Sequence, residues 1–557
     1  MPPTPTALRW VPTLAITAVL VSLTLRIAAA ERPAYDLRVR LDPALGTIDA
    51  HVDISQPGSS TFLLARDLAI HRVVADGVPT RFEEGVSETG GARTVTVPGP
   101  PPNHLIVEYG GHLRPGSFPR LTSQVNMVGP ALVELASYVT WYPRFRASGA
   151  FTFRLTTDVP VAFNTVANGR LLREEERPTG RRVAEWVSHS AVSDITIVSA
   201  PGLHPAPPAR DGTQVEIYST SLPADYVAAM TKDVSAAVRY LQRMAGASAV
   251  SHHVKIVYSP RPGWGYARQP LIVVSEENAR AATGQPYGRA RDLRYLVHEA
   301  AHDWWHQADA ATPEDWINEG LAEYSALLAC RATVGPEFAD VLVAEYAERS
   351  ASSPSANAIL ETDGGSPDRE LNRYVRPVLM FEEVRRRHGD ERMTGFLRAL
   401  HARFVQAGHA TTGALLDEAE AHFGSQGRED IRLALHRTDW RPANAAPAYV
   451  FSARDAVWLG TWTGTLTQGS ITNAVVLRLL RRGNQLAGTL DHPDPSAPAI
   501  PLSAVRIDED TLLFALGAFG ISFKGRLETD ATVMHGEWTQ GGASYSLKLT
   551  RREPGTP

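Results

Sequence analysis

The chain nearly lacks cysteine: Cys330 is the only one in 557 residues. A single thiol excludes any internal disulfide, so the fold must be held by core packing and, where the chemistry allows, by a metal. Charge of one sign is missing too. Lys and Arg total 55 against 60 Asp and Glu, for a net charge of -5. Arginine greatly outnumbers lysine, but no dense basic run occurs. There is thus no electrostatic reason to expect nucleic acid or an acidic membrane surface as partner. No internal repeat at a fixed period and no long low-complexity tract is found. What remains is ordinary for a globular protein, with 43% hydrophobic and 21% charged residues. The length exceeds what one hydrophobic core supports, so several domains are expected.

The amino end differs from the rest. Arg9 precedes an apolar stretch from Val11 to Leu25, Arg26 closes it, and Ala28-Ala29-Ala30 stand before Glu31. A positive flank, a short apolar core and small residues are the marks of a secretory signal. The run is shorter than the roughly 20 residues that span a bilayer. The expectation is a signal peptide over 1–30 and an exported protein, periplasmic or secreted, with no stable membrane insertion after cleavage; an uncleaved anchor is the alternative.

Residues 31–205 read as a β-rich domain. "YDLRVRLD" and "AFTFRLTTD" alternate apolar and polar side chains, and clusters such as "VPGPPPNH" punctuate them. Pro205, Pro207 and Pro208 mark a linker. From 206 to 440 the period changes. Tyr226, Met230, Val234, Val238 and Leu241 recur at helical spacing and Gly246 is a stop signal; two short strands, "VKIVYS" and "LIVVS", follow. The stretch from Ala290 to about Trp440 is mostly helical, with Met393, Phe396, Leu397, Leu400 and Phe404 as a core stripe. "RPANAAPAY" (441–449) is a second linker. Residues 450–557 show short strands with Gly-rich turns, as in a small antiparallel sheet or barrel. The fold class expected is multidomain α+β.

The chemistry concentrates in "YLVHEAAHDWWHQADAATPEDWINEGLAEY", residues 295–324. His298 and His302 are four apart, so on a helix both imidazoles leave one face. That spacing suits one tetrahedral Zn2+, with Glu299 beside it to handle the protons of an activated water. A two-His site needs a third protein ligand, which Glu319 on the following helical segment can supply. A metzincin would need Gly at 305 and His at 308, where the chain has Trp305 and Ala308. His306, one turn further on, reads as a partly exposed histidine near a helix end. Two histidines on a core helix that bind no metal are the bland alternative.

"HEAAHDWW…WINEGLAEY" resembles the gluzincin motif of M1 zinc metallopeptidases, the family of aminopeptidase N and leukotriene A4 hydrolase. Sixteen residues (303–318) separate His302 from Glu319, two fewer than the family's usual spacing, the deficit falling around Ala308–Pro313. "YVRPVLMFEEVRRRHGDERMTGFLRAL" resembles a second family segment and puts Tyr374 at the place of the tyrosine that stabilises the oxyanion. "WYPRF" and "VANGRL" resemble the family's N-terminal domain. The likeness runs over roughly 35–440. It implies a thermolysin-like catalytic domain, one Zn2+ per chain and peptide or protein substrates.

The chain also departs from the family. The "GxMEN" strand, whose glutamate pairs with a substrate's free amino terminus, has "GWGYARQPLIVVS" as its counterpart, with Arg268 or Gln269 in the glutamate's place. Arginine cannot accept a hydrogen bond from an ammonium and repels it. Arg268 in the cleft would instead receive an anionic substrate group; a structural arginine is the default reading. Glu276 or Glu277 would replace the glutamate only if the chain were rearranged, and otherwise read as surface carboxylates. Glu323 reads either as a buttress of the site or as a solvated charge, and Asn318 as a candidate to orient the helix. Where M1 enzymes often continue into a helical roof, this chain has strands bearing Trp458, Trp462 and Trp538, which read as packed core or as a surface that binds substrate or wall polymers. The expected activity is zinc-dependent peptide hydrolysis with Glu299 as general base. A catalytically silent zinc-binding homologue that binds peptides or surface polymers, and a hydrolase of a non-peptide substrate, are the alternatives.

Overall fold

Alternating side chains lay the strand Ala34–Asp42 over a core with Tyr35, Leu37, Val39 and Leu41 all buried. The computed structural model describes residues 32–552 apart from 87–90, 114–126, 138, 146–148, 207–213, 248–252, 262–264, 284–286, 353–354, 443–450, 469–470, 483–484, 492–498, 503, 509, 517–520 and 541–542. The expected signal segment 1–30, Pro207 and Pro208, and most of the 441–449 linker lie outside the described residues.

The Ala34–Asp42 strand sits inside an eight-stranded sheet, antiparallel to Thr47–Ser55 and parallel to Thr152–Pro160. A three-stranded and a four-stranded sheet complete the N-terminal β region, and the pair Trp141 and Tyr142 from "WYPRF" lies fully inside its core.

The next region is built on a five-stranded sheet. Gln214–Ser219, His253–Ser259 and Leu271–Ser275 run parallel, and Tyr266–Arg268 forms an antiparallel edge. A parallel pair needs a crossover. The helix Ala224–Ala245 provides it, burying the stripe of Tyr226, Met230, Val234, Val238 and Leu241. It ends at Gly246, whose φ of 93° suits glycine. Two contacts fasten this sheet to the N-terminal region. Lys255 donates to the carbonyls of Ala167 and Gly169 and lies over Trp186. The buried Glu134 receives Arg261 at 2.7 Å, Ser259 at 2.6 Å and Tyr266 at 3.1 Å. The edge strand is thereby held against the β region by hydrogen bonds to a charge, the strong kind.

Helices pack beyond the sheet. Trp316–Thr333 is the central one: residues 320–330 are all buried. A helix buried all round is a pillar rather than a surface element. It contains Cys330, whose burial pushes its thiol up to about 12 and leaves it inert. A single helix-like run then carries 369–388, with ordinary helical turns at each end and a π-helical turn over Leu371–Val375. Gly320 lets this run approach the pillar, because a Cβ there would sit 2.7 Å from Pro377 Cβ. The Met393, Phe396, Leu397, Leu400 and Phe404 stripe is core, as read from the sequence.

Residues 460–551 form a nine-stranded antiparallel sheet. Trp458, Trp462 and Trp538 are 4%, 0% and 3% exposed, so they pack its core; this corrects the reading of these three tryptophans as a surface that binds substrate or wall polymers. Arg506 of this sheet pairs with Glu348 of the helix Pro336–Ser352. Among the described residues no helix is long and apolar enough to cross a membrane.

Replacing Gly320 with alanine should force the two helices apart. Overpacking of this kind costs about 1–3 kcal/mol, so Gly320→Ala should lower the thermal midpoint; an unchanged melt would show that the contact yields freely.

Candidate metal centre

The helix Gly288–Ala301 brings His298 and Glu299 to its last turn, and His302 continues it with helical backbone angles. The two imidazoles, one turn apart, stand with centroids 5.0 Å apart and planes nearly perpendicular. Glu319 comes from the first turn of the pillar helix. Its Oε2 lies 3.4 Å from His298 Nε2 and 3.5 Å from His302 Nε2. One ligand atom from each of the three falls within 4.8 Å of the others, a set able to hold a metal ion. The shortened loop, 303–318, does not prevent this convergence.

The remaining ring nitrogens decide whether the set fits zinc. His302 Nδ1 faces the carbonyl of Trp305 at 3.1 Å, which assigns its proton to Nδ1 and leaves a lone pair on Nε2. His298 Nδ1 lies 2.9 Å from Glu323 Oε2, an ion-pair contact off the hydrogen-bond line. Carboxylates and carbonyls behind ligand histidines are what zinc sites use to orient them. Two imidazoles and one carboxylate are the donor set of a catalytic zinc site. The residues fit the ion.

In the absence of an ion the clustered groups compensate one another's charge. Burial opposes charge on His298, but contacts with Glu319 and Glu323 outweigh it and push the ring up to about 10. His302 is raised as well, burial again being overcome by Glu319. Glu319 is held well below the usual carboxylate range, because the two rings outweigh its own desolvation. Glu323 is buried, and Arg294, with help from His298 and Tyr346, carries it against desolvation down to about 2. It is therefore no solvated charge but a permanent anion behind His298.

Glu299 is only 9% exposed, yet among the described residues it has no hydrogen-bond or ion-pair partner. Other buried carboxylates here are paired: Glu134 with Arg261, Glu276 with Thr220 and Ser221, Glu323 with Arg294. Tyr374 sits in the π-helical turn with its ring 5.7 Å from that of His298. Burial and the nearby Glu319 charge raise its pKa well above normal, so its hydroxyl stays a donor.

The other candidates are placed as follows. Arg268, on the edge strand, gives Nε to Asp194 Oδ2 at 3.1 Å and to Ser137 Oγ at 3.3 Å. The carboxylate it meets is thus one of the chain's own. Gln269 follows it, half-buried. Glu276 is fully buried and accepts from Thr220 and Ser221, so the surface reading is corrected for it, while Glu277 is exposed. His306 is exposed and bonds the carbonyl of His302 at 2.8 Å. Asn318 ties the 303–318 loop to the pillar through Ala308 and Asp315.

Two neighbours escaped the sequence reading. Arg294 is four residues before His298 and backs Glu323, a helical spacing that was legible. Arg369 donates to the Tyr374 hydroxyl at 3.1 Å and lies 3.7 Å from Glu319 Oε1. No motif marks it.

No family profile and no curated protein sequence matches the chain. Solved structures do. The M1 zinc metallopeptidase of Deinococcus radiodurans is 19% identical with a TM-score of 0.55, covering 74% of this chain and 95% of its own. A form of it bound to a Tyr-Ser-Ala substrate gives 18% and 0.56 over 75% and 96%. Native yeast LTA4 hydrolase gives 15% and 0.54, over 76% of this chain and 70% of that one. The chain has the M1 gluzincin fold, multidomain α+β, as the sequence motif implied.

With His298 carrying a proton up to about pH 10 in the metal-free site, zinc uptake at neutral pH must expel it. Affinity should therefore rise with pH, by about tenfold per unit or more between 6 and 8. Chelator competition at several pH values measures this, and a flat profile would contradict the ligand assignment.

Proposed function

We propose that this chain is an exported zinc-dependent hydrolase of peptides. The observation that carries the reading is Glu299, a largely buried residue whose carboxylate has no protein partner among the described residues, beside three converging ligand groups. The side chain is held by its surroundings while its carboxylate is left unengaged, as proton transfer requires. A silent binding protein would have no use for it.

His298, His302 and Glu319 would hold a zinc ion, which when bound would supply Lewis acidity toward a carbonyl and toward water. Glu299 would accept a proton from the attacking water and return it to the leaving amine. Tyr374, kept protonated, donates to the oxygen on which negative charge develops. Glu323 and the Trp305 carbonyl hold the two imidazoles in the orientation and tautomer this requires.

Peptide as substrate is supported by the fold and by the Tyr-Ser-Ala complex of the Deinococcus enzyme. Exopeptidase restriction is not supported. By the sequence likeness Arg268 or Gln269 takes the place of the ammonium-binding glutamate, and Glu276 and Glu134 are consumed by internal partners. We therefore assign acceptance of N-blocked as well as free peptides. Export rests on the segment 1–30.

Glu299→Gln should keep one zinc per chain and lower turnover of both free and N-acetylated fluorogenic peptides by about 10²–10⁴-fold. Undiminished activity with zinc in place would remove Glu299 as the base and the reading with it.

A further inference from the structure

We infer that Arg369 is a positioning residue of this centre: it fixes the Tyr374 hydroxyl as a donor into the site and steadies the outer oxygen of Glu319. The inference rests on the hydrolase reading above and deepens it.

The backbone brings the two side chains together. Arg369 and Tyr374 are five residues apart, a separation that an ordinary helix places on different faces. The run here begins at 369, passes through the π-helical turn, and returns to α-helix at 376, with Arg376 N–H bonding the carbonyl of Leu371. An i→i+5 turn brings residues five apart onto one face. The guanidinium accordingly lies over the Tyr374 ring, 5.4 Å from its centroid, while Nη2 donates to the hydroxyl at 3.1 Å.

That bond has a directional consequence. A guanidinium has only donors. The Tyr374 oxygen must therefore accept from Arg369, and its own proton has to point elsewhere. The same Nη2 lies 3.7 Å from Glu319 Oε1, while Glu319 Oε2 faces the imidazoles. Arg369 thus braces the ligand oxygen turned away from the histidines and the tyrosine that would meet the substrate. Its outer amino group, Nη1, reaches Glu370 Oε1 at 3.7 Å. A surface ion pair alone would need only that last contact. The side chain is 32% exposed, so it is not a core element.

The test uses the full-length zinc-loaded protein with Arg369→Gln, Arg369→Lys, Tyr374→Phe and the Arg369→Gln/Tyr374→Phe double variant. Three quantities are read: zinc affinity by chelator competition, calorimetric affinity for a phosphinic dipeptide as a tetrahedral anion, and kcat with KM. Arg369→Gln should weaken zinc about tenfold and lower kcat about 10–100-fold with KM little changed, and weaken the phosphinic ligand in parallel with kcat. Lysine should restore part of each. In the Tyr374→Phe background the Arg369→Gln effect on the phosphinic ligand should largely vanish, since the two act as one unit. Wild-type values in Arg369→Gln overturn the inference, and so does an effect that multiplies undiminished in the double variant. Equal losses for Gln and Lys with a lowered melting temperature would mark a merely structural arginine and also overturn it. If the wild type cleaves no peptide, the hydrolase reading fails, and the zinc and phosphinic titrations still decide the role of Arg369.

Discussion

The site depends on the crossing of two helices that places Glu319 Oε2 within 3.5 Å of both His298 Nε2 and His302 Nε2. Three ionisable groups gathered in a water-poor place would repel or desolvate one another at a cost of several kcal/mol unless mutually compensated. Apolar packing supplies the restraint. Leu293, Leu296 and Val297 on one helix and Ile317, Leu321 and Ala322 on the other lie in the same core cluster. Gly320 permits the third partner, the run that carries Tyr374, to close against them. The polar centre is thus a consequence of where the apolar faces meet.

Charges in this protein fall into two groups. Glu134, Glu276, Glu323 and Glu382 are buried and each is matched by arginine, hydroxyl or amide donors. They knit segments together, as Glu134 does between the β region and the strand from Tyr266. Glu299 belongs to the other group, a largely buried residue whose carboxylate has no partner among the described residues. The difference separates carboxylates spent on architecture from one that no protein group engages among the described residues, and it is visible without reference to any relative.

Spacing made the ligands legible. His298 and His302 follow from i,i+4 geometry and Glu319 from its place on the next helix. The strands of the β regions and the helix stripes follow from periods of two and about 3.6. Other features needed the fold. Arg369 was invisible because the π-helical turn breaks the period on which helix reading relies. Glu276 looked like a surface charge because its partners, Thr220 and Ser221, lie more than fifty residues earlier. The three C-terminal tryptophans were ambiguous, since an aromatic in a short strand fits a core or a binding face equally until the opposite strands are in place.

The edge strand shows how a departure from a family motif can be absorbed. An arginine where a glutamate is expected would, if free, make that end of the cleft cationic. Here Asp194 takes Arg268 Nε, the Ser137 backbone N–H at 2.8 Å and the Tyr142 hydroxyl at 3.0 Å. Asp194, Ser137 and Tyr142 all belong to the β region, so Arg268 serves as a fastening between that region and the edge strand. An acidic anchor lost in this way cannot hold an ammonium, and the cationic replacement is neutralised at its source.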